Sequence, residues 1–235
     1  MPANQVVSRE EWLAARRAHL AREKEFTRLR DELSRERQAL PWVKVDADYQ
    51  FGGPAGPESL ADLFGPHSQL IIYHFMYGAD WEEGCPSCSF WADNFNGIDV
   101  HLAHRDISLV VVSRAPQAQL DAYKKRMGWS FKWVSSYGTS FNEDYHVSPT
   151  ADEIAQGRRF YNYGEGELRG DESPGISVFY KDESGAIFHT YSCYSRGLDM
   201  LNGAYHFMDL APQGRAEAAL PWTMAWLRRH DQYED

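Results

Sequence analysis

The sequence predicts an α/β protein with a central mixed sheet flanked by helices, and three observations predict it. Two short apolar runs, Leu70 to Met76 and Ile107 to Val112, read as buried strands. Each is followed by a helical pattern: Phe90, Trp91 and Phe95 after the first, Ala115 to Met127 after the second. Further on, Ile176 to Tyr180 and Ile187 to Tyr191 flank the turn Asp182-Glu183-Ser184-Gly185 as an antiparallel pair. Strand–helix–strand order builds a parallel sheet, and a hairpin adds antiparallel strands to it.

The chain opens with a capping box, Ser8-Arg9-Glu10-Glu11, in which the serine caps the backbone and the glutamate reaches back. The helix it starts is expected to run to Gln38, rich in Arg and Glu, with Trp12, Leu13, Leu20, Phe26, Leu29 and Leu33 as an imperfect apolar stripe. Residues 1–40 therefore form an N-terminal helical arm, open to two readings: a solvated arm or a homodimer contact. Pro41 ends it. Trp42 to Val45 alternates as a strand, Asp46 to Pro57 holds a hairpin, and Ser59 to Pro66 a short helical turn. Residues 41–235 make the main domain. Ile98 to Arg105 is expected to be helical, and Phe131 to Val134 a short strand. Residues 135–172 read as a long ordered insertion with a helix over Thr150 to Gln156. Loops of this length are uncommon unless they serve or cover a site. Gly214 to His230 is expected to close the chain with a helical extension, interrupted at Pro221.

With 43% hydrophobic and 14% aromatic residues, the chain can bury the core of one large domain. A formal net charge of −10 argues against nucleic acid or an anionic membrane as the main partner. No signal peptide or spanning segment is visible, so a cytoplasmic location is expected. Three cysteines do not make a disulfide scaffold.

The chemistry centres on Cys85-Pro86-Ser87-Cys88. The pair sits where a helix begins. Free N–H groups and the helix dipole favour a thiolate at Cys85 there. Cys88 lies one turn further on the same face, within disulfide reach. Pro86 suits a first-turn position because its missing N–H would have no helical partner. By position Cys85 attacks and Cys88 resolves the mixed disulfide. The bland alternative is two idle buried cysteines. Zinc is the rival use of this spacing, with Cys193 and His74, His189 or His206 as further ligands, but no second close pair is present. His101 and His104 read as a solvated pair, and Cys193 as a small buried hydrophobe or a third redox thiol. Glu82 and Glu83 would raise the Cys85 pKa if close to it.

The strand, the Cys-x-x-Cys, the second parallel strand and Ser173-Pro174-Gly175 ahead of the hairpin together resemble the thioredoxin-like fold over about Trp42 to Tyr191. That resemblance implies that Pro174 is cis and packs against the sulfurs. Over nearly its whole length the chain resembles the bacterial DUF899 family of thioredoxin-like proteins, which are predicted dithiol–disulfide oxidoreductases. The matching stretches are the eleven residues from Cys85 to Phe95, Val-Ser-Arg-Ala-Pro from Val112, Phe-His-Thr-Tyr-Ser from Phe188 and His-Asp-Gln-Tyr from His230. The expected catalytic set is Cys85 and Cys88 by position and Pro174 by the thioredoxin-like match, with Pro86 and Ser173 meeting the substrate; Trp81, Trp91 and Tyr191 are open to two readings, lining the site or packing the core. A thiol–disulfide oxidoreductase built on this pair is expected to need no cofactor and no metal, and to have a protein or small-molecule thiol or disulfide as partner. The chain departs from better-known relatives at set positions. Pro86 is placed as in glutaredoxins, but Ser173 stands before Pro174 where they carry Thr-Val-Pro. Gly78 and Glu82 stand where peroxiredoxins carry Pro and Thr. A thiol peroxidase and a non-catalytic binding module are the alternatives to disulfide exchange.

Overall fold

A computed structural model describes residues 4–234 of the chain. Helix α1 (Arg9–Gln38) starts at the expected capping box on Ser8, and among the described residues none of its side chains is buried. Strands β1 (Val43–Lys44), β2 (Gln50–Gly53) and β3 (Gly56–Ser59) precede the short helix α2 (Leu60–Leu63), itself capped by Ser59 and Asp62. The βαβ section follows: β4 (Gln69–His74), α3 (Pro86–Ala92), α4 (Asp99–Ala103), β5 (Ile107–Ser113), α5 (Gln117–Arg126) and β6 (Lys132–Ser135).

The insertion is more regular than its sequence suggests. It holds α6 (Phe141–Asp144), then α7 (Ala151–Gln156), which has a capping box on Thr150 and a left-handed Gly157 after it. A separate hairpin, β7 (Arg158–Tyr161) with β8 (Gly164–Glu167), completes it. Its turn residues Asn162 and Tyr163 both have positive φ, the geometry of a tight hairpin turn. Strands β9 (Gly175–Lys181) and β10 (Ile187–Tyr194) are the expected antiparallel pair.

Eight strands form one sheet in the order β1-β10-β9-β4-β5-β6-β2-β3. The strands β4, β5 and β6 are parallel, while β9 runs antiparallel to β4. With α3 leaving the central strand, this is the thioredoxin-like arrangement. Successive side chains of a strand face opposite ways. Tyr73 and Val111 therefore join Phe75, Trp133, Cys88, Trp91 and Tyr123 in one core, and Leu70, Ile72, Val110 and Val112 join Phe51, Phe64, Phe141 and Phe179 in the other.

The C-terminal expectation is corrected. The last α-helix is α8 (Gly203–Leu210), and residues 211–229 are turns and irregular backbone rather than a helix. Positive φ at Gly214, Ala216 and Met224, with Pro212 and Pro221, breaks any continuous helix. One carboxylate organises the segment instead. Glu217 Oε1 accepts from the Tyr205 hydroxyl (2.8 Å), the Met224 N–H (3.1 Å) and Trp226 Nε1 (2.8 Å). Among the described residues no helix is long and apolar enough to cross a membrane.

Candidate active site

The buried strand β4 delivers the chain to a tight loop at the thiol pair. Cys85 N–H donates to the Met76 carbonyl (3.1 Å), and the Tyr77 hydroxyl donates to the Glu82 carbonyl (3.0 Å). Gly84 is required by space: a Cβ there would lie 2.8 Å from the Phe75 ring and 3.0 Å from that of Tyr123. Cys85 then caps α3, Pro86 is its first residue, and Cys88 lies inside it. Cys85 is half-buried, while Cys88 is 1% exposed. Both are free thiols, as is Cys193.

The two sulfurs have unlike surroundings. The Cys88 thiol donates to Cys85. Burial opposes the charge, and the N–H groups of Cys88 and Ser87 and the Ser87 hydroxyl favour it. The net result brings Cys85 down to about 7. Burial and the adjacent Cys85 sulfur push Cys88 well above the usual thiol range, although its sulfur accepts from the Met76 N–H (3.4 Å). One negative charge shared by the pair therefore resides on Cys85. Of the two acidic residues before it, Glu83 is drawn into ion pairs. Glu83 pairs with Arg126 and with Arg229 (2.7 Å). Arg229 also donates to the Gly84 carbonyl (2.7 Å) and the Tyr123 hydroxyl (2.8 Å), so the C-terminal segment is fastened to the loop before Cys85.

Opposite the thiols stands the segment ahead of β9. Ser173 N–H donates to the Val147 carbonyl (2.7 Å), the buried Arg159 donates to Ser173 Oγ (2.9 Å), and the Tyr161 hydroxyl donates to the Pro174 carbonyl (2.7 Å). Arg114, from the Val-Ser-Arg-Ala-Pro stretch, pairs with Glu172, which also accepts from the Ser148 hydroxyl (3.0 Å). Burial outweighs both partners and raises the Glu172 carboxyl to about 7. The described residues contain no cis peptide bond, so the bond before Pro174 is trans, against expectation. The hydrogen bonds from Arg159 and Tyr161 and to Val147 hold this extended segment in place beside the thiols.

A cavity of about 330 Å³ lies between the two sides. Cys88, Ser173 and Pro174 line it, as the sequence reading expects of the catalytic and substrate-facing set. Cys85, Trp81 and Pro86 do not: Cys85 reaches the cavity only through its contact with the Cys88 thiol. Trp81 Nε1 donates to Asp171 Oδ2 (3.3 Å), and Pro86 opens α3. Sequence reasoning misses Tyr161, Leu198 and Met224, which line the cavity from segments outside the βαβ core, and misses the Arg114–Glu172 pair. Only Arg114 carried a signal, as part of a recognised stretch. Cys193 lies on the same sheet face, in register with Ile176 and, through it, Tyr73. Burial raises its pKa, and its thiol contacts the Gly197 carbonyl at 3.7 Å. His101 and His104 are exposed. Among the described residues no cluster of three or more His, Cys, Asp or Glu side chains is placed to hold a metal ion.

No curated protein matches the chain. Among solved structures it is similar to peroxiredoxin Q of Xanthomonas campestris, at 14% identity, over 66% of this chain and 86% of that one, with a TM-score of 0.43. The peroxidoxin BcpB of Mycobacterium tuberculosis gives 14% identity, 70% and 94% coverage and 0.42. A secreted Mycobacterium tuberculosis disulfide oxidoreductase, described as homologous to DsbE of E. coli, gives 14%, 66% and 92%, and 0.37. A family model matches residues 1–233, and the chain belongs to that family, DUF899, described as bacterial protein of unknown function.

Proposed function

We propose that the protein is a dithiol–disulfide oxidoreductase using Cys85 and Cys88. The observation that carries this reading is the division of labour between the sulfurs. Cys85 is half-buried at a helix start and receives hydrogen bonds that favour its thiolate, while Cys88 is buried one turn behind it, against the cavity. In the forward step the Cys85 thiolate attacks one sulfur of a substrate disulfide, a Cys85–substrate bond forms, and the other half leaves as thiolate. Cys88 then gives its proton to that thiolate and attacks Cys85. The Cys85–Cys88 bond forms and the second half leaves. Two electrons pass to the substrate, and no bound cofactor is needed. Pro174 and Ser173 line the space the substrate would enter. A reducing setting such as the cytoplasm would return the pair to its dithiol form.

Redox titration with thiol counting and peptide mapping tests this directly. A single Cys85–Cys88 link is expected under mild oxidation. Its absence at every potential would remove the proposal. Cys88→Ser should then accumulate a mixed disulfide on Cys85 with whatever it attacks. A thiol peroxidase is the second reading. It is favoured by the confined cavity against Cys88, where a small oxidant has room. Gly78 and Glu82 leave it without the Pro and Thr of the peroxiredoxin pattern.

A further inference from the structure

The cavity beside the thiols is closed by parts of the chain that the βαβ–hairpin core does not need. Tyr161 comes from the inserted hairpin, Leu198 from the 3₁₀ segment Ser195–Leu201 after β10, and Met224 from the irregular C-terminal segment. They face Tyr73, Met76 and Trp91 of the core. The result is a small pocket with mainly apolar walls, where a bare core would leave an open surface.

Several of its polar wall atoms are already engaged. The Tyr161 hydroxyl donates to the Pro174 carbonyl and accepts from the Ser195 N–H (3.1 Å). Trp91 Nε1 donates to the Leu198 carbonyl (2.8 Å). At the exposed rim Arg196 pairs with Asp199 at 2.8 Å. A charged guest placed between the apolar walls, inside that rim, would lose hydration without return. A volume of about 330 Å³ lies at the small end of ligand pockets and leaves no room for a folded chain to bring its own disulfide down to the sulfurs.

We propose that this cavity is the substrate site of the thiol pair and takes a compact, uncharged, largely apolar molecule carrying a reducible S–S or O–O bond. The proposal rests on the thiol-exchange reading and narrows it to small molecules. The apolar part fills the space between Trp91, Leu198 and Met224, and the reducible end lies at the Cys88 sulfur on the cavity wall, next to the Cys85 sulfur that the Cys88 thiol contacts from outside the lining. With a disulfide guest the exchange is the one written above. With a hydroperoxide, the Cys85 thiolate attacks the terminal oxygen, the O–O bond breaks, and the alkoxide leaves as an alcohol after taking a proton from solvent. The Cys85 sulfenic acid then condenses with the Cys88 thiol, releasing water and forming the S–S bond. In both cases two thiols are oxidised to one disulfide and the guest is reduced by two electrons.

The test measures the rate of Cys85–Cys88 bond formation in the full chain by mass spectrometry with five oxidants. These are diphenyl disulfide, cumene hydroperoxide, hydrogen peroxide, glutathione disulfide and insulin. With each rate divided by that of the same oxidant with free cysteine, which removes leaving-group reactivity, at least one of the two apolar oxidants should react about tenfold or more faster than glutathione disulfide and insulin, and which one does so separates S–S from O–O chemistry. Leu198→Trp and Met224→Trp, checked for folding by circular dichroism, should slow that reaction about tenfold or more by filling the cavity. They should leave iodoacetamide alkylation of Cys85 unchanged. If Leu198→Trp fails to fold, Met224→Trp decides. Insulin or glutathione disulfide reacting as fast as the apolar pair would overturn the proposal while leaving thiol exchange standing. So would a folded filling variant with unchanged rates. If no oxidant links Cys85 to Cys88, thiol exchange itself has failed. Calorimetric binding of cumyl alcohol, lost in the filling variants, then reports separately whether the cavity holds such molecules.

Discussion

On one face of the sheet His74 is sealed among aromatic rings; on the other, Cys85 stands at the start of a helix with donors aimed at it. His74 is 1% exposed and lies against Phe141 and Tyr145. Its Nε2 meets Ser177 Oγ (2.9 Å), which meets Ser192 Oγ (2.8 Å), which meets His189 Nε2 (2.8 Å). Among the described residues its Nδ1 has no partner. Burial, helped by His189, takes His74 down to about 3, so it stays neutral. Both sites bury an ionisable group, yet only one favours its charged form. Burial alone silences a group; hydrogen bonds to the charged form, with a route to solvent, make it reactive.

The largest effect that would break this contrast is on the chemistry. Cys85→Ser should abolish disulfide formation, read by thiol counting, while His74→Leu should leave it intact. Loss of activity in both would mean that the two faces act together. Next is the source of the Cys85 thiolate. Cys88→Ala removes the first donor, so the Cys85 pKa should rise from about 7 toward the free-thiol range. Iodoacetamide alkylation at neutral pH should then slow by about tenfold, in line with a move toward a pKa of about 8.5.

Stability against pH sharpens the comparison further. The folded pKa of His74 lies below its unfolded value, so the unfolded chain binds the extra proton and stability is lost as pH falls from about 6.5 toward 3. The stability difference between wild type and His74→Leu in urea titrations should change over that window by up to about 1.4 kcal/mol per pH unit. Glu172 has the opposite sign. Its folded pKa of about 7 exceeds the ordinary 4.5, so its stabilising contribution is complete below 4.5 and is lost as pH rises through 7. The pH dependence of wild type relative to Glu172→Gln should therefore slope the other way. The smallest effect concerns neither face. Removing residues 1–38 deletes a helix with no buried side chain and should change stability by within about 0.5 kcal/mol. A larger loss that grows with protein concentration would mean that α1 seats on a second copy, the homodimer expectation.

The parts of the molecule set by near neighbours were legible in the chain. Ser8, Ser59 and Thr150 open helices because cap and partner are three residues apart. Strands β4 and β5 were legible as apolar runs, and Cys85-Pro86-Ser87-Cys88 as thiols at a helix start. The hairpin of β7 and β8 was not, because β8 is exposed throughout and its turn uses Asn162 and Tyr163 without glycine. The C-terminal pattern misled because Trp226 and Tyr205 are gathered by Glu217 through single contacts rather than by helical periodicity.

What the sequence by itself determined is the local grammar: the caps, the strands, and a nucleophile placed where a helix begins. The tertiary structure alone decided how that nucleophile is tuned and enclosed. Arg229 reaches Gly84 across 145 positions and, with Arg126, neutralises Glu83. Arg114 meets Glu172 across 58, and Tyr161, Leu198 and Met224 converge on Cys88 from separate segments. Hydrogen bonds and burial act over a few ångströms of space whatever the distance along the chain, so no local pattern records them.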